Sequence, residues 1–134
     1  MNAALDANVV LRHLTGTPPD LAARATAFLE RAKPGTLLLL DVQLAEVVYV
    51  LDTVYERDRS EVATAILAVL ATAAVSAEHE AIARRTVELY AQRRMDWPDA
   101  YLVAAAEERR LPAVVSFDRF DARTRDLGVR RDEP

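Results

Sequence analysis

At 134 residues, with 51% hydrophobic and 28% charged side chains, the chain has the balance of one globular domain and not of a disordered segment. It contains no cysteine, which removes disulfides, thiol nucleophiles and thiolate zinc sites, and no apolar run approaches the roughly 20 residues that a membrane helix needs. The formal charge of −4 argues against a protein that coats nucleic acid indiscriminately. No basic segment followed by a signal-type apolar stretch opens the sequence, so a cytoplasmic setting is expected.

Ala3-Ala4-Leu5 is a short apolar run that ends in Asp6. It reads as a brief buried strand with a carboxylate at its C-terminal edge, the edge at which open α/β sheets bind ligands. Asp6 or Asn8 serves equally well as the cap of a following helix, Val9 to Leu14, which Thr15-Gly16-Thr17-Pro18-Pro19 stops. Asp20 to Ala32 carries Leu21, Ala25, Phe28 and Leu29 on one face and is a second helix. Lys33-Pro34-Gly35 turns the chain into Leu37-Leu38-Leu39-Leu40, expected as a strand buried on both faces. Asp41 is placed to cap a helix from Val42 to Tyr55. Within it, Glu46 has Val42 and Val50 at i±4 and Tyr49 at i+3, which predicts a buried glutamate needing a proton, a partner or a metal.

Ser60 to Ala71 follows as an alanine-rich helix capped by Ser60. Its Val62, Ile66, Leu67, Val69 and Leu70 exceed what one core-facing stripe requires, which predicts either a groove for a partner or a wholly internal helix. Ala74-Val75 reads as a short edge strand and Glu78 to Arg93 as a helix. Pro98 fits only a first helical turn, so Met95-Asp96-Trp97-Pro98-Asp99 opens a helix to about Arg110, with Asp96 as N-cap and Asp99 at N3. Ala113 to Phe117 repeats the first design, an apolar strand and then a carboxylate, Asp118. Arg119 to Asp126 is expected to be helical, and Gly128 to Arg130 a last strand. Strands alternating with helices imply an α/β fold with a central, mainly parallel sheet and helices on both faces. No linker or repeat interrupts residues 1–134, so one domain is expected.

Much chemistry is excluded. The three glycines, at 16, 35 and 128, are isolated, so neither a dinucleotide fingerprint nor a P-loop is present. No serine sits in a nucleophile elbow, and His13 and His79 read as unpaired surface or core residues. A phosphate-accepting receiver would need a lysine near a late strand, but the only lysine, Lys33, precedes the second. An aspartate-nucleophile phosphatase would want an aspartate at position 8, which is asparagine. What remains is Asp6, Glu46, Asp99 and Asp118, two at strand ends and two on helices. Hard oxygen donors without histidine or cysteine favour Mg²⁺ or Mn²⁺. Such ions activate water and stabilise the oxygens of a phosphodiester undergoing hydrolysis. Residues 84 to 131 hold eleven arginines against eight acids. Most are expected to be solvated surface, but an arginine-lined phosphate track is compatible with them.

The stretches Leu5-Asp6-Ala7-Asn8-Val9-Val10-Leu11, Glu46 in its apolar helix, Asp99-Ala100 opening a helix, and Ser116-Phe117-Asp118-Arg119-Phe120 resemble the PIN-domain ribonucleases. They are most similar to the toxins of VapBC-type toxin–antitoxin pairs. The resemblance covers nearly the whole chain. It implies a Rossmann-like fold, a divalent-metal-dependent endoribonuclease acting on RNA with Mg²⁺ or Mn²⁺, a homodimer, and inhibition by a cognate VapB-type antitoxin. Asp6, Glu46, Asp99 and Asp118 match the family's acidic cluster. Asn8 and Ser116 match its accessory polar positions, with serine where threonine is commoner. Asp96 and Asp121 lie near enough to substitute for or supplement Asp99 and Asp118, and Arg119 is the nearest candidate in sequence for an RNA phosphate. Some members mature RNA, or bind without cutting, so a non-catalytic RNA- or partner-binding module is the competing class. Binding RNA gives no reason to bury four carboxylates.

Overall fold

The computed structural model describes residues 2–134, which fall into two compact units, one ending at Glu80 and the other running from Ala81 to Pro134. Every strand pair in it is parallel.

The first unit contains β1 (Ala3–Ala4), α1 (Ala7–Thr15), α2 (Pro19–Arg31), β2 (Leu37–Leu39), α3 (Asp41–Thr53), α4 (Arg59–Leu70) and β3 (Val75–Ala77). Its sheet has the order β1-β2-β3, with Ala3 opposite Leu37 and Leu37 opposite Val75. The expected buried first strand is corrected: Ala3 and Ala4 are exposed, and the anchor is Leu5, buried just beyond them with its N–H donated to the Leu38 carbonyl at 2.8 Å. Alanine has too little side chain for its position in a two-residue strand to decide burial. β2 buries Leu37 and Leu39, as its apolar run requires. Gly16 ends α1 with φ of 72°, a left-handed conformation that only glycine adopts freely, and its N–H satisfies the Arg12 carbonyl.

Two caps differ from expectation. Asp41 is the first residue of α3, not its cap; the N-cap position is Leu40. Glu78 supplies the missing acceptor, taking the Asp41 N–H on Oε1 at 3.0 Å. α4 begins earlier than Ser60. Asp58 caps it by accepting from the Glu61 N–H at 2.8 Å, and Glu61 reaches back to the Asp58 N–H, a reciprocal capping box. Its apolar excess is mostly internal: Val62, Ile66, Val69 and Leu70 are buried and only Leu67 is substantially exposed.

The second unit carries all but the first residue of α5 (Glu80–Gln92), then α6 (Trp97–Glu108), β4 (Ala113–Val115), α7 (Asp121–Thr124) and β5 (Arg130–Asp132). β4 and β5 pair with Ala113 opposite Arg130. The helix expected from Arg119 to Asp126 is one turn, and the last strand begins two residues later than expected. α6 packs through small side chains, burying Ala100, Val103, Ala104, Ala105 and Ala106. Arg85 of α5 grips Glu107 of α6 in a two-point bond, Nε to Oε1 at 2.9 Å and Nη2 to Oε2 at 3.1 Å, which fixes the two helices together. Tyr90 and Trp97 meet edge to face with ring centroids 5.7 Å apart, placing the start of α6 against α5.

Candidate active site

The second unit assembles three of the predicted carboxylates. Arg94 has φ of 56°, a left-handed turn that costs an L residue roughly 1–2 kcal/mol and redirects the chain from α5 into α6. Asp96 follows in the N-cap position with extended backbone, but its side chain makes no cap hydrogen bond. Pro98 occupies the first turn of α6, and Asp99 sits one residue later, half-buried. From β4 the chain enters a tight turn in which Ser116 Oγ accepts the Asp118 N–H at 2.9 Å, so the accessory hydroxyl shapes the loop that presents Asp118. Asp99 and Asp118 lie close enough for each carboxyl to act on the other. Together with Asp96 they line a pocket of about 230 Å³ whose remaining polar wall is Arg94, Arg119 and Arg123.

Asp99 is consequently a poor anion. Burial raises its carboxyl above the ordinary range, the negative charges of Asp118 and Asp96 raise it further, and hydrogen bonding to Asp118 adds to the rise. A group raised in this way stabilises the fold fully below its unfolded pKa, near 3.8, and that contribution is lost as pH rises through the folded value. In chelator, Asp99→Asn is therefore expected to melt above wild type at pH 7, with the gap closing as the pH is lowered toward 4. A gap independent of pH, measured by thermal scans across that range, would refute the assignment. The same electrostatics fit a divalent cation, because hard oxygens crowded beyond their own tolerance are relieved by positive charge.

Asp121 does not join this set. It begins α7 and accepts from Arg131 Nε at 2.9 Å, while Arg131 Nη1 also donates to the Ser116 carbonyl at 2.7 Å. Asp121 thus braces the loop. Arg94 and Arg123 were not singled out from the sequence; eleven arginines in one stretch gave no means of choosing among them.

The first unit places Asp6, Asn8 and Glu46. Asp6 caps α1, its Oδ1 accepting the Asn8 N–H at 2.9 Å, so the capping role is real and leaves the second oxygen available. Asp6 and Asn8 are both exposed. Gln43, missed by the sequence reading, reaches from α3 to accept the Ala7 N–H at 2.8 Å. Glu46 lies three residues after Gln43, on the same face of α3, and so on the side of the unit that carries the end of β1. Glu46 is exposed, which corrects the expectation of a buried glutamate. α3 is apolar nearly all round, and the face it buries is Leu44, Val47, Val48 and Leu51, while Val42 and Tyr49 beside Glu46 face solvent.

Two further features belong to the first unit. Asp41, Glu78 and His79 each offer one ligand atom within 4.8 Å of the others, enough for a cation. Their visible contacts are structural, since Glu78 caps α3 and His79 Nδ1 meets Asp41 Oδ2 at 2.7 Å. His79 is therefore paired, contrary to expectation, as is His13, whose Nδ1 meets Thr26 Oγ1 at 2.7 Å. The second feature is a groove of about 830 Å³ between α1 and α2, walled by Leu21 and Phe28 and carrying Arg12, Arg24 and Arg31.

A family model of the PIN domain matches residues 3–125. No curated protein matches significantly. Among solved structures, the chain is similar to a toxin–antitoxin complex from Klebsiella pneumoniae at 20% identity and a TM-score of 0.37, with 96% of this chain and 95% of that chain covered.

Proposed function

Because the chain belongs to the PIN domain family, we propose that it is a nuclease that hydrolyses RNA phosphodiesters with Mg²⁺ or Mn²⁺, and that it is the toxin of a VapBC-type pair. The observation that carries the nuclease reading is Asp99 and Asp118, with Asp96, lining one pocket rimmed by three arginines. Acids there suit a cation, and guanidinium groups suit the phosphates on either side of a scissile bond. Asp6, Glu46, Asp99 and Asp118 are the proposed cation ligands, with Asn8, Ser116 and Asp96 as accessory groups. Bound there, the cation supplies positive charge to the phosphodiester and makes water easier to deprotonate.

The chain's own residues do the rest. Glu46 is exposed, so burial does not single it out as the acceptor of the attacking water's proton. Water adds to phosphorus, the bond to one ribose oxygen breaks, and the departing oxygen takes up a proton. One fragment ends in a hydroxyl and the other in a phosphate monoester. Arg94, Arg119 and Arg123 hold flanking phosphates; Arg119 is only loosely engaged, 3.8 Å from Glu133.

The VapB-type antitoxin is assigned to the α1–α2 groove and not to α4, whose apolar face is internal. Arginines over apolar walls suit a segment that is both acidic and apolar. A homodimer in the cytoplasm belongs to the same reading, with exposed Val42 and Tyr49 of α3 as apolar contacts. No helix among the described residues is long and apolar enough to cross a membrane.

The test is cleavage of single-stranded and structured RNA with Mg²⁺, with Mn²⁺ and with chelator, alongside melting curves. Cleavage should require the metal, and metal at 100 times its Kd should add about 2.7 kcal/mol of stability by mass action. Asp6→Asn should blunt that gain. Binding of RNA without cleavage under either metal would replace this reading with a binding module.

A further inference from the structure

Phe117 is 72% exposed, the most exposed of the large apolar side chains in the second unit, and it directly precedes Asp118. Val115, the last residue of β4 and two residues earlier, is exposed as well. Neither residue contributes to the core. The turn that presents Asp118 depends on Ser116 Oγ, on Asp118's own N–H and on Arg131 holding the Ser116 carbonyl, so it makes no demand on the phenyl ring. A ring one residue from a pocket with three guanidinium groups has surroundings that decide its occupant. A protein surface seated there would have to answer Arg94, Arg119 and Arg123 with acids; a polynucleotide brings a phosphate and a flat apolar face together in every residue.

Resting on the nuclease reading above, we propose that Phe117 is a stacking platform for an unpaired nucleobase next to the scissile phosphate, which makes the site selective for single-stranded over duplex RNA. Consecutive Cα atoms are about 3.8 Å apart, so the exposed ring is attached directly beside the residue that lines the pocket. A duplex keeps its base faces inside its own stack and has none to offer the ring. The arginines then contribute affinity that salt screens, and Phe117 contributes affinity that salt does not.

Binding tests this without relying on turnover. A short fluorescent single-stranded oligoribonucleotide is titrated by anisotropy in chelator, and compared with the same strand annealed to its complement. Phe117→Ala and Phe117→Leu should each raise the Kd for the single strand about tenfold and leave the duplex Kd unchanged, whereas Phe117→Tyr should keep wild-type affinity. Phe117→Trp should retain binding and show emission quenched by the oligonucleotide. The native Trp97, only 7% exposed, supplies the background, read from wild type with the same strand. Equal affinities in wild type, Phe117→Ala and Phe117→Leu would overturn the proposal. So would a wild-type dimer that Phe117→Ala dissociates in light scattering with RNA affinity unchanged, since the ring would then be a contact between copies. Cleavage with Mn²⁺, assayed in parallel, separates the two readings: loss of all cleavage in wild type refutes the nuclease, while the anisotropy series still decides Phe117.

Discussion

Asp118→Ala is expected to lower RNA cleavage by roughly 100-fold or more while leaving the fold and RNA binding nearly intact. The carboxylate is exposed and lies outside the core, so its removal opens no buried cavity. Its backbone N–H, not its side chain, closes the turn with Ser116. What the substitution removes is a proposed cation ligand and a neighbour that raises the Asp99 carboxyl. Relieved of a neighbouring negative charge, Asp99 should titrate lower, so the acidic limb of any residual activity should move to lower pH. Removing negative charge beside Arg94, Arg119 and Arg123 should, if anything, tighten RNA binding at low salt. The measurement is single-turnover cleavage across pH together with anisotropy. Unchanged turnover would mean that the nuclease is a contaminant or uses other residues.

The largest stability effect is expected from α4. Ile66 has no exposed surface, and Ile66→Ala should cost about 2–5 kcal/mol, through lost apolar burial and the cavity left behind. Leu67, its neighbour, is 40% exposed, and Leu67→Ala should cost clearly less than Ile66→Ala, since much of its surface is already in water. Urea titration of both variants decides which face of the helix is inside. A small cost for both variants would restore α4 as a surface available to a partner, whereas an equally large cost would place Leu67 in the core as well.

α4 also shows what a single sequence can reveal. Element existence was legible, because alternation between apolar runs and turn residues is a local property: Leu37-Leu38-Leu39 had to be a strand, and Pro98 had to lie in a first turn. Likewise, a carboxylate directly after an apolar strand is visible at Asp6 and Asp118 without knowing the fold. Which face of an all-apolar helix turns inward is not local. Glu46 in α3 is misread and α4 left open between two readings for that reason, since apolar neighbours on every side remove the periodicity that would point to the core. Contacts made at long separation were equally hidden. Gln43 on the Ala7 amide, Glu78 on the Asp41 amide and Arg131 on Asp121 pair residues that carry no mutual signature in the sequence. Arg94 was hidden for a different reason: what distinguishes it is a backbone angle, and nothing in Arg93-Arg94 says which of the two turns left-handed.

Arg131 has a consequence of its own. Its side chain is only 10% exposed, and it binds both Asp121 and the carbonyl of Ser116, the residue whose hydroxyl sets the Asp118 turn. β5 is therefore mechanically in series with the loop that offers Asp118, like a guy-rope made fast at two pegs. Loosening Arg131 would reach the Asp118 turn through Ser116. Loss of that tie would displace Asp118 with every side chain of the pocket still present.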